Sequence, residues 1–111
     1  INVSEAQDWQ VITLKGELDD YQSSKLTKTF NQLIDESQAK SIILNLDEVS
    51  FVDSVGLGTI AIAGKKLLQK TGHLHIVCSQ YKIAKMVTMS GIISATNQTI
   101  QIFNTFEEAL V

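Results

Sequence analysis

The chain has no proline, no arginine, a single cysteine and no apolar run long enough to span a bilayer. Each absence excludes something. Without proline there is no X-Pro bond whose slow isomerisation could delay folding. One cysteine, Cys78, cannot staple the fold, which suits a reducing compartment such as the cytoplasm. All nine basic residues are lysine, so the bidentate readers of phosphate and guanine are missing. With twelve acids against those nine lysines, the net charge is −3 and nucleic acid is not an expected partner. A membrane-spanning helix takes about 20 consecutive apolar residues. The longest stretches here, such as Leu57 to Ala63, are short and broken by Gly58 and Thr59. Direct membrane insertion is therefore not expected, and the first residues carry no signal-peptide pattern.

What is present suffices for one ordinary domain, expected over residues 1–111. A content of 44% hydrophobic and 19% charged residues can fill a core without disulfides and argues against disorder. Short β-like runs alternate with helical windows. Trp9 to Leu18 alternates as a half-covered strand, and Ile1 to Glu5 is a weaker strand able to form a hairpin with it. Leu26, Phe30, Leu33 and Ile34 form one apolar helical stripe between about Gln22 and Ser37, with Ser23 or Ser24 as the expected N-cap. Ser41 to Leu46 reads as a strand covered on both faces, followed by a polar connection, Asp47 to Ser50. A helix is expected from about Ser54 to Lys70, stopped by Thr71 and Gly72. His73 to Cys78 reads as a third buried strand. Gln80 to Ser90 reads as a helix with Ile83, Met86 and Val87 inward and Gly91 as its stop, and Thr99 to Phe103 as the last strand. Thr105 and Glu108 form a capping box that opens a final helix. The expectation is an α/β domain: a mixed, mostly parallel sheet of four to five strands with about four packed helices.

The chemistry concentrates at Asp53-Ser54-Val55-Gly56-Leu57-Gly58. Asp53 and Ser54 stand where a helix begins, so Ser54 is expected to be exposed among free N–H groups that favour an anion. Two glycines in the first turns cost roughly 1 kcal/mol each relative to alanine, which points to close backbone approach. The plain alternative is an ordinary N-cap with glycines that ease packing on the sheet. Phosphate-loop and dinucleotide fingerprints are absent, since neither Gly-Lys-Ser/Thr nor three spaced glycines occur.

This segment, preceded by Leu44-Asn45-Leu46 and Phe51, resembles the signature of the STAS domain of bacterial anti-sigma factor antagonists. Gly16-Glu17-Leu18-Asp19 matches the family's second motif and Met89-Ser90-Gly91 its third. The resemblance implies a non-catalytic regulator without a cofactor. Unphosphorylated, such a protein binds an anti-sigma factor that is also a serine kinase and so releases a sigma factor. Phosphorylation of the serine after the motif aspartate, here Ser54, inactivates it, and a serine phosphatase restores it. The family antagonists often carry Ser or Thr at the next position, where this chain has Val55, so Ser54 is the motif's only hydroxyl. The alternative within the family is a STAS module that docks proteins for a transporter or lipid-transport complex without being modified. The expected partner-binding residues are Asp19, Asp20, Glu48, Asp53, Ser54, Val55, Gly56 and Leu57. Together with Glu17 and Asp47, the acids among them belong at the carboxyl ends of strands, which in a parallel sheet share one edge with Ser54. That edge suits a basic partner.

Other constellations carry less. His73 and His75 alternate along a strand but lack a third ligand, a poor zinc set, so no metal is expected. A hydrolase triad of Ser54, His73 or His75, and Asp19 lacks the nucleophile elbow. Met86 and Met89 read as core.

Overall fold

The computed structural model describes residues 1–110; Val111, the last residue of the expected domain, lies outside them. Five strands form one sheet: β1 (Asn2–Ala6), β2 (Trp9–Leu18), β3 (Ser41–Val52), β4 (His73–Val77) and β5 (Ile100–Phe103). They lie side by side in chain order. β1 and β2 form the antiparallel hairpin, and β2, β3, β4 and β5 are parallel neighbours. The mixed, mostly parallel sheet is thus present with five strands.

Parallel strands need crossovers, and crossovers of one hand that all step in one direction put their helices on one face. The connecting helices are α1 (Asp20–Asn31), α2 (Ser54–Gln69), α3 (Tyr81–Met89) and α4 (Ile92–Ala95). Their inward residues, including Leu26, Phe30, Ile60, Leu67, Ile83, Val87 and Ile92, join Ile12, Leu14, Leu44 and Ile76 of the sheet in a single core. The opposite face carries a smaller cluster of Trp9, Val11, Ile43 and Val77, closed by Ala109 of the terminal helix α5 (Phe106–Ala109). The Thr105–Glu108 capping box that opens α5 is complete.

Several local expectations are corrected. The N-cap of α1 is Asp19, whose carboxylate accepts from Gln22 N; Ser23 lies inside the helix and is buried. Residues Asp47 to Ser50 continue β3 rather than connecting it to α2. Two register shifts against β2 let the strand carry polar residues outward while Val49 and Val52 stay buried. A fifth, short helix, α4, follows Gly91, which takes the left-handed conformation (φ 83°) expected of a stop signal. Met86 and Met89 are surface residues, the latter 74% exposed, because Ile83 and Val87 occupy the inner stripe of α3.

The end of α1 widens into a π-turn, Gln32–Glu36. The freed Ile34 carbonyl accepts from Lys70 Nζ at 2.6 Å, and Lys66 reaches Asp35 at 2.7 Å. The C-terminal end of α2 is thereby fastened to the end of α1, far from Ser54.

Candidate functional site

The parallel order brings the starts of α1, α2 and α3 to one edge of the sheet. β2 and β3 end together, with Leu18 paired to Val52, and Asp53 N donates to the Leu18 carbonyl at 3.2 Å. Both strands then hand over to helices in the same way. Asp19 Oδ1 accepts from Gln22 N at 3.0 Å, and Asp53 Oδ1 accepts from Gly56 N at 2.8 Å. Each carboxylate satisfies an orphan amide and places a negative charge at the positive end of a helix dipole. Asp19 and Asp53 are half-buried, so they are structural caps as well as charges at the edge.

Ser54 is the first residue of α2 and is exposed. The nearby hydroxyls of Ser50, Thr59 and Ser79 are committed to Gly16 O, Val55 O and the Asp47 carboxylate. Val55 is 50% exposed and Phe51, at the end of β3, 47% exposed. Leu57 is half-buried and packs on the main core, while Gly56 is buried. A Cβ on Gly56 would stand 2.8 Å from Leu18 Cγ, so the close approach expected there is present. A Cβ on Gly58 would meet nothing within 4 Å, so the same expectation is corrected at that position.

The acids divide by role. Asp20 is exposed at the first position of α1. Glu48 is exposed and lies 3.9 Å from Lys15, a weak surface pair. Asp47 is tied up, accepting from Ser79 N at 2.7 Å and Ser79 Oγ at 3.1 Å. Glu17 is likewise exposed, so Glu17, Asp20 and Glu48 are the edge acids whose charge faces solvent without a capping duty.

The sequence gives no sign of the contribution of Gln80. Its side-chain amide donates to Val49 O at 2.6 Å and Asp47 O at 2.8 Å, on the part of β3 that runs on past Asn45, where its pairing with β4 ends. That pins the start of α3 to the strand leading into Ser54. An amide reaching across 31 residues has no sequence signature. Phe51 stands in the signature stretch but outside the expected partner-binding residues; an aromatic side chain just before the Asp53-Ser54 helix start is the signal that adds it to them.

The hydrolase reading fails on geometry. His75 pairs in register with Ile43, and the strand from there to Ser54 puts the two more than about 20 Å apart. His75 is also engaged elsewhere, with Nδ1 2.7 Å from Ala109 O and its ring between Trp9 and Phe103. Burial pushes its pKa below the ordinary histidine value, opposed by the Ala109 bond. Burial likewise raises the Cys78 thiol, which makes it a poor nucleophile at neutral pH. Among the described residues no three potential metal ligands gather, and no helix is long and apolar enough to cross a membrane.

Comparison with known proteins agrees with this architecture. The chain is 30% identical over 82 residues to an anti-sigma F factor antagonist of Paenibacillus polymyxa, covering 74% of this chain and 70% of that protein. The fold matches that of the Bacillus cell fate determinant SpoIIAA in its phosphorylated form (TM-score 0.74, 24% identity, 98% of this chain and 95% of that one). It also matches the STAS domain of a SulP transporter from Vibrio cholerae (TM-score 0.69, 18% identity, 96% and 81%). At those identities the solved structures establish the fold alone. The family model described as "STAS domain" matches residues 1–109, and the chain belongs to the STAS domain family.

Proposed function

We propose that this chain is an anti-sigma factor antagonist controlled by phosphorylation of Ser54. Unphosphorylated, it binds an anti-sigma factor that is also a serine kinase, and a sigma factor is released. The kinase transfers a phosphoryl group from ATP to Ser54 Oγ, and a serine phosphatase removes it by hydrolysis. The chain itself supplies no catalytic group, and the cycle runs in the cytoplasm.

The observation that carries this reading is the placement of Ser54. It is exposed at the first position of α2, next in the chain to the exposed apolar Val55 and three residues after the exposed Phe51. The solvent-facing Asp20 stands at the matching start of α1, and Glu48 four residues before the end of β3. A partner seated there covers Ser54, so a phosphate of about −1.5 to −2 charges is repelled by those acids and must be desolvated. Losing a buried polar contact and gaining an unpaired charge costs several kcal/mol at an interface, enough to abolish a micromolar complex. The name borne by the Paenibacillus relative supports the antagonist reading.

The transporter domain with the same fold favours a second reading, protein docking without modification. The two separate by intact mass. The protein is incubated with ATP and each candidate anti-sigma kinase of its own genome, and the product is mapped by peptide sequencing. The antagonist reading expects one phosphate, on Ser54, none on Ser54→Ala, and loss of binding in Ser54→Asp. Labelling of Ser54→Ala, or equal binding by the Asp and Ala variants, overturns it.

A further inference from the structure

The back face of the sheet carries a constellation that the Ser54 edge does not use. His73 and His75 stand two residues apart on β4 with their rings on one face, centroids 5.9 Å apart. Both line an open pocket of about 300 Å³ together with Gln101 and Phe103. The Ala109 carbonyl 2.7 Å from His75 Nδ1 can only accept a hydrogen bond, so Nδ1 carries the proton and Nε2 the lone pair. Among the described residues Ser23 Oγ is the one fully buried side-chain polar atom without a partner, so the unbonded Nε2 of His75 is not sealed from solvent, and the ring lines that pocket. Gln101 sits opposite His75 in register. Its amide nitrogen donates to Gln98 O at 3.2 Å, which leaves the amide oxygen available.

The geometry points to a binding site for a first-row divalent transition-metal ion, Cu(II) foremost, held by the His73 and His75 imidazoles with Gln101 as a weaker oxygen donor and water in the remaining positions. A metal-ligating histidine usually donates its other ring N–H to a carbonyl or carboxylate, which fixes tautomer and orientation; His75 already holds that bond. Imidazoles suit copper, nickel and zinc, and copper heads the affinity order. Two imidazoles sharing an ion at about 2.1 Å have centroids roughly 4.6–5.3 Å apart for ligand angles near 90–110°. The exposed His73 closes that gap by a small rotamer change, while His75 stays fixed between Trp9 and Phe103. Two protein nitrogens make an exchangeable site rather than a structural one, which is why three-ligand patterns in the sequence do not reveal it.

The test titrates the whole, EDTA-treated protein with Cu(II) in a non-coordinating buffer, followed by calorimetry and EPR, with Zn(II) as a comparison. One equivalent is expected per chain, with superhyperfine coupling to two nitrogens and weaker binding of Zn(II). His73→Ala is expected to keep the wild-type melting temperature in EDTA and to lose affinity by at least roughly tenfold, the lower end of what losing even a supporting partner of a metal ligand does. His75→Gln serves as the second variant. Unchanged affinity in His73→Ala, a single-nitrogen spectrum or the absence of 1:1 saturation overturns the site.

Discussion

Gly56 and Leu18 meet across the junction of α2 and β2. A Cβ placed on Gly56 would lie 2.8 Å from Leu18 Cγ and 2.9 Å from the Leu18 carbonyl oxygen. Since the same carbonyl accepts from Asp53 N, crowding at Gly56 pushes on the contact that sets where α2 begins. Gly56→Val is therefore expected to lose about 1–3 kcal/mol, the range for overpacking a closed site. Gly58→Ala, with open space around it, is expected to hold or gain stability through helix propensity. Urea denaturation of both variants checks the contrast. Equal midpoints would mean that the close approach carries no energetic consequence.

The two aspartate caps give a second expectation. Asp19→Ala and Asp53→Ala each leave an amide of a first helical turn unpaired, at a cost of about 1 kcal/mol apiece. Asp→Ser at either position keeps a capping oxygen and recovers most of that loss. Thermal melts of the four variants decide the matter. A binding defect in Asp19→Ala cannot be read as lost charge until this stability term has been subtracted.

The role of Asp19 also shows where the sequence stops being legible. Periodicity found the strands and the inner stripes, because alternation and the 3.6-residue repeat follow from burial on one face. Leu26, Phe30, Leu33 and Ile34 are all buried as that repeat requires. Caps depend on φ and ψ at a single residue, and Ser23, Ser24 and Asp19 are all good capping types. Only the end of β2, fixed by its pairing with β3, selects Asp19. The continuation of β3 through Asp47–Ser50 was hidden for a related reason. Its alternation is broken by two register shifts, and its carbonyls beyond the end of the pairing with β4 are satisfied by Gln80, far along the chain. At the site, the exposure of Ser54 followed from the motif's place at a helix start, whereas the division of acids into caps and free charges required coordinates.

Gln80 supplies the third expectation. Gln80→Ala removes the donor to Val49 O and Asp47 O and leaves the part-buried Val49 carbonyl unpaired, costing about 1–2 kcal/mol. The loss should be local. Amide hydrogen exchange is expected to quicken over Val49 to Asp53 and at the start of α3, leaving β4 and β5 protected. Uniform acceleration over the whole sheet would mean that Gln80 supports global stability rather than the segment beside Ser54.

The charged edge can be tested without disturbing a cap. Asp20 and Glu48 are both exposed, and the 3.9 Å Lys15–Glu48 pair contributes little to folding. Asp20→Asn with Glu48→Gln is expected to melt like wild type while flattening the salt dependence of association with the anti-sigma partner, chiefly through the on-rate. Stopped-flow association at two ionic strengths measures it. An unchanged slope would place the docking surface away from these acids.

The last expectation separates a switch that acts on the interface from one that acts on the fold. Ser54 is the first residue of α2, where unpaired backbone N–H groups and the helix dipole favour negative charge by roughly 0.3–1 kcal/mol. Asp53 next to it works against that gain, so the two effects nearly offset. Ser54→Asp is accordingly expected to melt within a few degrees of wild type. Its NMR amide shifts should change only around the starts of α1 and α2, while binding to the anti-sigma partner falls sharply. Phosphorylation would then act through charge and bulk at the docking surface, with the sheet and its core unmoved. A large drop in melting temperature, or shift changes spreading into β4 and β5, would instead mean that negative charge at Ser54 works by loosening the domain.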